Sequence, residues 1–285
     1  MRRFVKYFEN FDVELIKKLS QEGCNLKQIA EKIDIPTRRL GEMLKAYGII
    51  LPKGYIYKTD DEFFDVIDSE IKAYLLGFFI ADGCMQKEPK RRNGEIYSCS
   101  YRMSVNNSID DLDVVELFQK FICPSKKIEH NDCQLGVKFK RKPQVKFRWN
   151  SKHMFETLLS YNIKPRKTYD LDFTFPFDKI PSDLHRHFIR GFFDGDGHKG
   201  VSDISFVSTS KTFLEQIGNL LEFPYRIQNC VGKTCNYFIL YVKGGKKTLS
   251  EINDIFYKDS NYYLKRKYLQ FNPEVTIETK ESIVP

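Results

Sequence analysis

Residues 75–83 read LLGFFIADG, and residues 189–197 read IRGFFDGDG. Each is an apolar run with small residues four apart, closed by Asp-Gly. The closing acids, Asp82 and Asp196, stand 114 residues apart, enough for each segment to head its own subdomain. A repeat at that spacing is a signal of fold before it is a signal of motif. Two copies of one unit, each ending in a carboxylate, predict a pseudo-twofold body with two acids meeting at its axis.

The small residues say how the copies meet. Gly77 and Ala81 are four apart in the first copy, Gly191 and Gly195 in the second. On a helix, positions i and i+4 share a face. Two helices with only Gly or Ala on that face can approach until their backbones nearly touch. Glycine inside a helix costs roughly 1 kcal/mol against alanine, so glycines on one face need such a packing reason. Phe78, Phe79, Phe192 and Phe193 then turn toward each subdomain's own core. Gly83 and Gly197 stand where a helix would stop, glycine being the common residue just past a helix end. Asp82 and Asp196 therefore project from C-terminal tips, where the helix dipole is already negative. Two carboxylates at such a point want a cation, and hard oxygen donors favour Mg²⁺. An ordinary buried helix ending in an Asp-Gly turn would explain one copy; it does not explain two.

Both segments resemble the motif helix of LAGLIDADG homing endonucleases, in the single-chain form with two motif copies. The resemblance covers about residues 60–270. It implies that the eighth motif position, Asp82 and Asp196, supplies metal-binding acids, with the carbonyls of Ala81 and Gly195 as further ligands of Mg²⁺ or Mn²⁺. The sixth position is Asp194 in the second copy and Ile80 in the first, a departure that leaves the metal acids intact. The family also has a basic residue that assists the attacking water and the charged transition state. After the last helix of the first half stands IKPRKTYDL, and at the same place in the second half YLKRKYLQF. Aligning Arg-Lys with Arg-Lys matches Lys167 to Lys267, with Lys164 and Lys265 as near substitutes.

The remaining pattern supports two mixed α and β halves. Tyr97, Cys99, Tyr101, Met103 and Val105 alternate with Ser98, Ser100, Arg102 and Ser104, the period of a half-buried strand. Residues 109–122 read as a helix capped by Ser108. A hairpin follows, in which Val137, Phe139, Val145, Phe147 and Trp149 alternate with Lys138, Lys140, Lys146, Arg148 and Asn150 around a turn at residues 141–144. One face is core and the other nearly all cation, which suits a major groove wide enough for a two-stranded ribbon. The second half repeats the order with a strand at 202–208, a helix at 211–221, strands near 225–229 and 237–243 and a helix at 246–257. The first early strand of each half (residues 84–92 and 198–201) is faint. The expected fold class is α+β. Two pseudo-symmetric αββαββα subdomains form one saddle-shaped antiparallel surface, beside a small all-α helix-turn-helix domain. The candidate DNA contacts are Arg102, Lys138, Lys140, Arg141, Lys146 and Arg148 in the first half. In the second they are Lys199, Arg226, Gln228, Lys233 and Lys243.

Residues 11–50 differ in texture. FDVELIKKLSQEG places Val13, Ile16 and Leu19 at helical spacing before Gly23. LKQIAEKI, the turn Asp34-Ile35-Pro36 and TRRLGEMLKAYGI complete a helix-turn-helix pattern. Ala30 falls where two helices must pack closely, and Gly48 where the third ends. Thr37, Arg38 and Arg39 open the recognition helix, where side chains reach base edges or phosphates. The expected domains are residues 1–50, a linker 51–69 marked by Pro52 and Gly54, and subdomains 70–170 and 171–285.

Composition agrees. A net charge of +8 suits a polyanion partner. The seven cysteines form no CxxC pair, and no signal peptide or membrane-length apolar stretch is present. These argue for reduced thiols in a cytoplasm, in a bacterial or phage-encoded setting. His185 and His187, just before the second motif helix, read as solvated or capping. The implied activity is a metal-dependent, staggered double-strand break in a long DNA target, made by a monomer with no obligate protein partner and no membrane. A non-cleaving regulator and an RNA-splicing maturase are the alternatives on the same fold. An intein is disfavoured, since the chain begins with Met1, ends in ESIVP and shows no His-Asn splice terminus.

Overall fold

Asp12 starts the first helix: its carboxylate accepts from the backbone N–H groups of Glu14 and Leu15, satisfying donors that a helix start leaves free. The computed structural model describes residues 7, 10–22, 24–49, 57–131, 142–232 and 235–275. It divides into two compact units, Met1–Lys58 and Thr59–Pro285. In the first unit, α1 (Val13–Gln21), α2 (Leu26–Lys32) and α3 (Thr37–Ala46) enclose a core of Ile16, Leu19, Ile29, Ala30, Ile33, Leu40 and Met43. Asn25 and Gln28 form a reciprocal capping box at the start of α2. Pro36 stands as the N-cap of α3, and Gly48 takes φ +67 just past its end.

The second unit opens with α4 (Glu70–Asp82), β1 (Gly83–Arg92), β2 (Glu95–Ser108), α5 (Leu112–Ile122), β3 (Glu129–Asn131), β4 (Gln144–Asn150) and α6 (Lys152–Ser160). The series then recurs as α7 (His185–Asp196), β5 (Gly197–Lys199), β6 (Asp203–Ser208), α8 (Lys211–Leu221), β7 (Tyr225–Cys230), β8 (Tyr237–Lys243) and α9 (Gly245–Tyr257), with α10 (Lys265–Phe271) appended. Each half is therefore αββαββα. Both sheets are antiparallel, in the order β1-β2-β4-β3 and β5-β6-β8-β7.

The motif helices α4 and α7 pack backbone to backbone. A Cβ on Gly77 would lie 2.0 Å from the carbonyl oxygen of Phe188, and one on Gly191 2.0 Å from that of Tyr74. A Cβ on Gly195 would lie 2.3 Å from the Cβ of Ala81. The four small positions predicted to form this interface therefore do so. Their neighbours fill the two cores: Phe78 and Phe79 meet Phe118 and Trp149, while Phe192 and Phe193 meet Phe206, Phe213 and Phe256. Each such ring contributes about 1.5–3 kcal/mol by leaving water.

Polar groups lock the halves in register. Arg190, 0% exposed, donates to Glu70 at 2.8 Å, to the carbonyls of Phe256 and Tyr262, to Ser260 and to His187. Glu70 also accepts the backbone N–H groups of Asn261 and Tyr262. Arg266 pairs with the buried Asp111 through two hydrogen bonds of 2.5 and 2.9 Å.

Several local expectations change. β1 is a full strand of ten residues, because its polar alternation is held by pairing along the whole of β2. β3 pairs with β4 at residues 129–131, earlier than the expected 137–140, which lie outside the described residues. Within the expected linker, residues 51–56 are also outside them; Phe63, Phe64 and Ile67 are buried in the second unit, with Phe63 against Phe121. His185 and His187 belong to α7 itself: His185 meets the carbonyls of Phe177 and Ile180, and His187 is buried against Arg190. Gly83 and Gly197 have φ −73 and −90, so neither is the left-handed cap that glycine usually provides. They are glycine because a Cβ would strike the ring and carbonyl of Phe79 or Phe193. That lets each helix run straight into a strand.

Candidate functional site

The backbone contact at Gly77 and Gly191 brings the C-terminal tips of α4 and α7 together. A Cβ on Gly195 would lie 3.4 Å from the carboxylate Oδ2 of Asp82. Asp82 and Asp196 therefore end adjacent helices with their charges in mutual view. Burial pushes the Asp82 carboxyl above its ordinary value, against the Asn107 hydrogen bond and the Lys167 charge. Asp196 has part of its surface open to solvent, yet crowding at the tips and the charge of Asp82 push it up to about 6. Among the described residues Asp82 accepts one side-chain hydrogen bond, from Asn107 Nδ2 at 2.8 Å, and the Asn107 Oδ1 is buried with no partner.

Two lysines reach the same tips from the ends of the two halves. Arg166, in the left-handed region at φ 58, bends the chain so that Lys167 turns inward. Its Nζ donates to the carbonyls of Phe79, Ile80 and Ala81, the last at 2.5 Å, and so caps the end of α4. Burial pulls it down to about 8, opposed by Asp196 and Asp82. Lys267, on α10 and 5% exposed, donates to the carbonyl of Gly197 and lies 5.1 Å over the Phe193 ring. Burial and Arg266 lower it. The expected alignment of Lys167 with Lys267 thus places both at the acids. Of the near substitutes, Lys164 pairs with Asp170 and Lys265 is exposed. Beside Asp196, an open depression of about 260 Å³ is lined by Lys167, Thr168, Asp170, Ser208 and Tyr237.

The donor set fits a hard divalent cation. It consists of the Asp82 and Asp196 carboxylates beside the unpartnered Asn107 oxygen, which a metal-bound water could satisfy; of the expected carbonyl ligands, that of Ala81 already accepts from Lys167 Nζ. Asp82 and Asp196 would hold the ion. Among the described residues no group of three or more His, Cys, Asp or Glu forms a self-sufficient cage.

Asp194, the sixth motif position, does other work. It is 0% exposed and accepts from the Leu264 N–H at 2.7 Å, the Tyr74 hydroxyl at 2.8 Å and the Tyr257 hydroxyl at 3.4 Å. Burial nonetheless pushes it up to about 6. Its ordinary value, and its unfolded value, is about 3.9. Between about pH 4 and 6 the folded state then binds more protons than the unfolded one, and stability contributed at this site falls as pH rises. A shift of two units corresponds to about 3 kcal/mol. The stability of wild type minus that of Asp194→Asn is expected to fall by that order between pH 4 and 7 in urea titrations. A difference that grows with pH would show that the three donors hold the carboxylate below its ordinary value.

The sheet faces sort the other candidates. Pairing sets Arg102 opposite Asn150, Ser104 opposite Arg148 and Asn106 opposite Lys146, one polar face away from the core. The expected all-cation face is modified: Arg102 pairs with Glu88 at 2.9 Å and Arg148 with Glu129 at 2.7 Å. In the second sheet Arg226 lies opposite Tyr241 and Gln228 opposite Ile239, with Lys243 exposed at the end. Lys199 is opposite Ile204, which turns it to the helix side, 5.5 Å over the Phe271 ring. It does not join the polar face. Lys138, Lys140, Arg141 and Lys233 lie outside the described residues. In the first unit Thr37 and Arg38 are exposed and Arg39 is half-buried, both arginines paired with Glu42.

Asn107 and the Asp111–Arg266 pair are site residues that sequence reasoning passed over. Asn107 did leave a signal, a polar residue at a core-side position of its strand, and such a residue needs a partner.

Residues 183–237 match the family model of the LAGLIDADG-like domain. No curated protein matches the chain by sequence. Among solved structures, the chain is similar to I-DmoI in complex with DNA and Mn, at 16% identity over 68% of this chain and 98% of that one, with a TM-score of 0.45. It is similar to the I-LtrWI LAGLIDADG homing endonuclease bound to target DNA, at 14% identity over 72% and 89%, with a TM-score of 0.49. It is also similar to I-SmaMI bound to uncleaved DNA target with calcium ions, at 12% identity over 70% and 89%, with a TM-score of 0.46.

Proposed function

We propose that this chain is a site-specific, divalent-metal-dependent DNA endonuclease that makes a staggered double-strand break in a long duplex target. The observation that carries the reading is the meeting of Asp82 and Asp196 at tips held together by backbone contact, each tip with its own lysine.

Asp82 and Asp196 would hold a divalent cation such as Mg²⁺ or Mn²⁺, which would supply an activated water and positive charge for the pentacoordinate transition state. The rest is the chain's own work. Asp82 and Asp196 each serve one strand across the minor groove. Lys167 and Lys267, their Nζ atoms held on carbonyls at the tips, keep positive charge beside the developing negative charge, and desolvation makes each charge count for more. The polar face of Arg102, Lys146 and Arg148 grips phosphates and reads base edges, joined by Arg226, Gln228 and Lys243 in the second half. Surface pairs such as Arg102 with Glu88 are worth about 0–1 kcal/mol, so phosphate can replace the carboxylate at little cost. Because one chain carries both acids, the working unit is a monomer. The test is metal removal: supercoiled plasmid carrying the target is linearised in Mg²⁺, not in EDTA, and again after Mn²⁺ is added. Linearisation that persists in EDTA would refute metal dependence.

The first unit, through Thr37, Arg38 and Arg39, adds a second DNA contact. Deleting residues 1–50 is expected to weaken binding and shorten the footprint while cutting persists at high protein concentration. Equal affinity and an unchanged footprint would remove that role.

A further inference from the structure

Past Tyr101 the first sheet thins to two strands. Pairing of β2 with β4 ends at Arg102 and Asn150, while pairing with β1 continues from Glu88 opposite Ser100 to Arg92 opposite Glu95. At about 3.4 Å per residue, these five pairs project roughly 17 Å beyond the sheet. Asn93 and Gly94, with φ 52 and 86, close the ribbon in a tight turn of the kind that matches strand twist. A bulge between Lys90 and Arg91 leaves Tyr97 as the extra residue and adds twist. Every residue from 86 to 98 is exposed. The second half has no counterpart, since β5 spans three residues.

The ribbon's chemistry is one-sided. Lys87, Lys90, Arg91 and Arg92 give it four positive charges against two acids, Glu88, which pairs with Arg102, and Glu95, which stands opposite Arg92. Charge that only guards a free strand edge against pairing needs no particular sign. Nor does it account for Ile96 and Tyr97 standing 54% and 66% exposed at the same end. Lys90 and Arg92 continue the strand face of Gln86, the face that also carries Arg102. A positive two-stranded ribbon with an aromatic side chain at its end fits a duplex major groove.

We infer that residues 87–98 form a DNA-gripping arm that lengthens contact on the first half's side only, so the protected duplex is longer on that side of the cut. This rests on the DNA-cleaving reading above. The test is the full chain carrying Lys90→Ala, Arg91→Ala and Arg92→Ala together, compared with wild type by footprinting and by salt titration of binding. These exposed side chains bear no core contact, so melting is expected to match wild type. Protection should retract on one side alone, and the salt slope should become shallower by about 2.7, at 0.9 per phosphate contact. An unchanged footprint and slope, or equal retraction on both sides, would overturn the arm while leaving the nuclease reading in place. A wild type that binds no duplex would overturn both.

Discussion

Gly77→Val and Gly191→Val are each expected to leave residues 59–285 unfolded or insoluble. At both positions even the first added carbon would sit 2.0 Å from a carbonyl oxygen of the facing helix. Side-chain overpacking usually costs about 1–3 kcal/mol because rotamers can give way. Here the obstacle is backbone, so relief requires the two helices to move apart. That would open the Phe cores on both sides and pull Arg190 from Glu70, a buried pair whose loss costs about 3–5 kcal/mol alone. The sum reaches the whole stability of an ordinary domain, about 5–15 kcal/mol. Soluble yield and the cooperative melt read the outcome. Gly41→Ala is the contrast, since its Cβ would meet only Leu26 at 3.7 Å, and it should fold. A soluble Gly77→Val protein with the wild-type melt would mean that α4 and α7 do not touch there.

The second large effect concerns the acids. Asp82→Asn and Asp196→Asn should each abolish double-strand cleavage, with the rate of the second cut falling about 10³-fold or more, as loss of several kcal/mol of charge stabilisation implies. Binding of the target should stay within a few-fold, because neither residue lies on the polar sheet face. Folding should survive as well. Burial disfavours the charged form of Asp82, and the exposed Asp196 faces the Asp82 charge, so a neutral amide is no worse a neighbour for the tips. If the two sites act on separate strands, each single variant nicks and the double variant does neither. Wild-type linearisation by either single variant would remove the acids from the mechanism.

Much of this was legible in the chain because the decisive features are local and repeated. Gly77, Ala81, Gly191 and Gly195 declared a backbone contact through spacing alone. The helix expected at 211–221 and the strand expected at 237–243 coincide with α8 and β8. The Lys167 and Lys267 match came from aligning two Arg-Lys pairs, and both reach the tips. What stayed hidden depends on pairing partners far apart in sequence. β1 looked faint because its residues are nearly all polar; its order comes from β2. The acids on the sheet face, Glu88 and Glu129, were invisible as partners until register put them beside Arg102 and Arg148. Lys199 reads as a DNA contact by its charge, yet its register opposite Ile204 turns it toward α10. Phe63 and Phe64 sat in a stretch punctuated by Pro52 and Gly54, whose turn signals outweighed two buried rings.

Asp82 and Asp196, meeting at one point, are expected to cut opposite strands of one target. The most direct measurement is sequencing the ends of linear product recovered from a randomised-target plasmid library incubated with the full chain in Mg²⁺. One recurrent sequence whose two strands are cut at staggered positions is expected. Tight, sequence-selective binding with no metal-dependent linear product would contradict it and leave a DNA-binding regulator or a maturase on this fold.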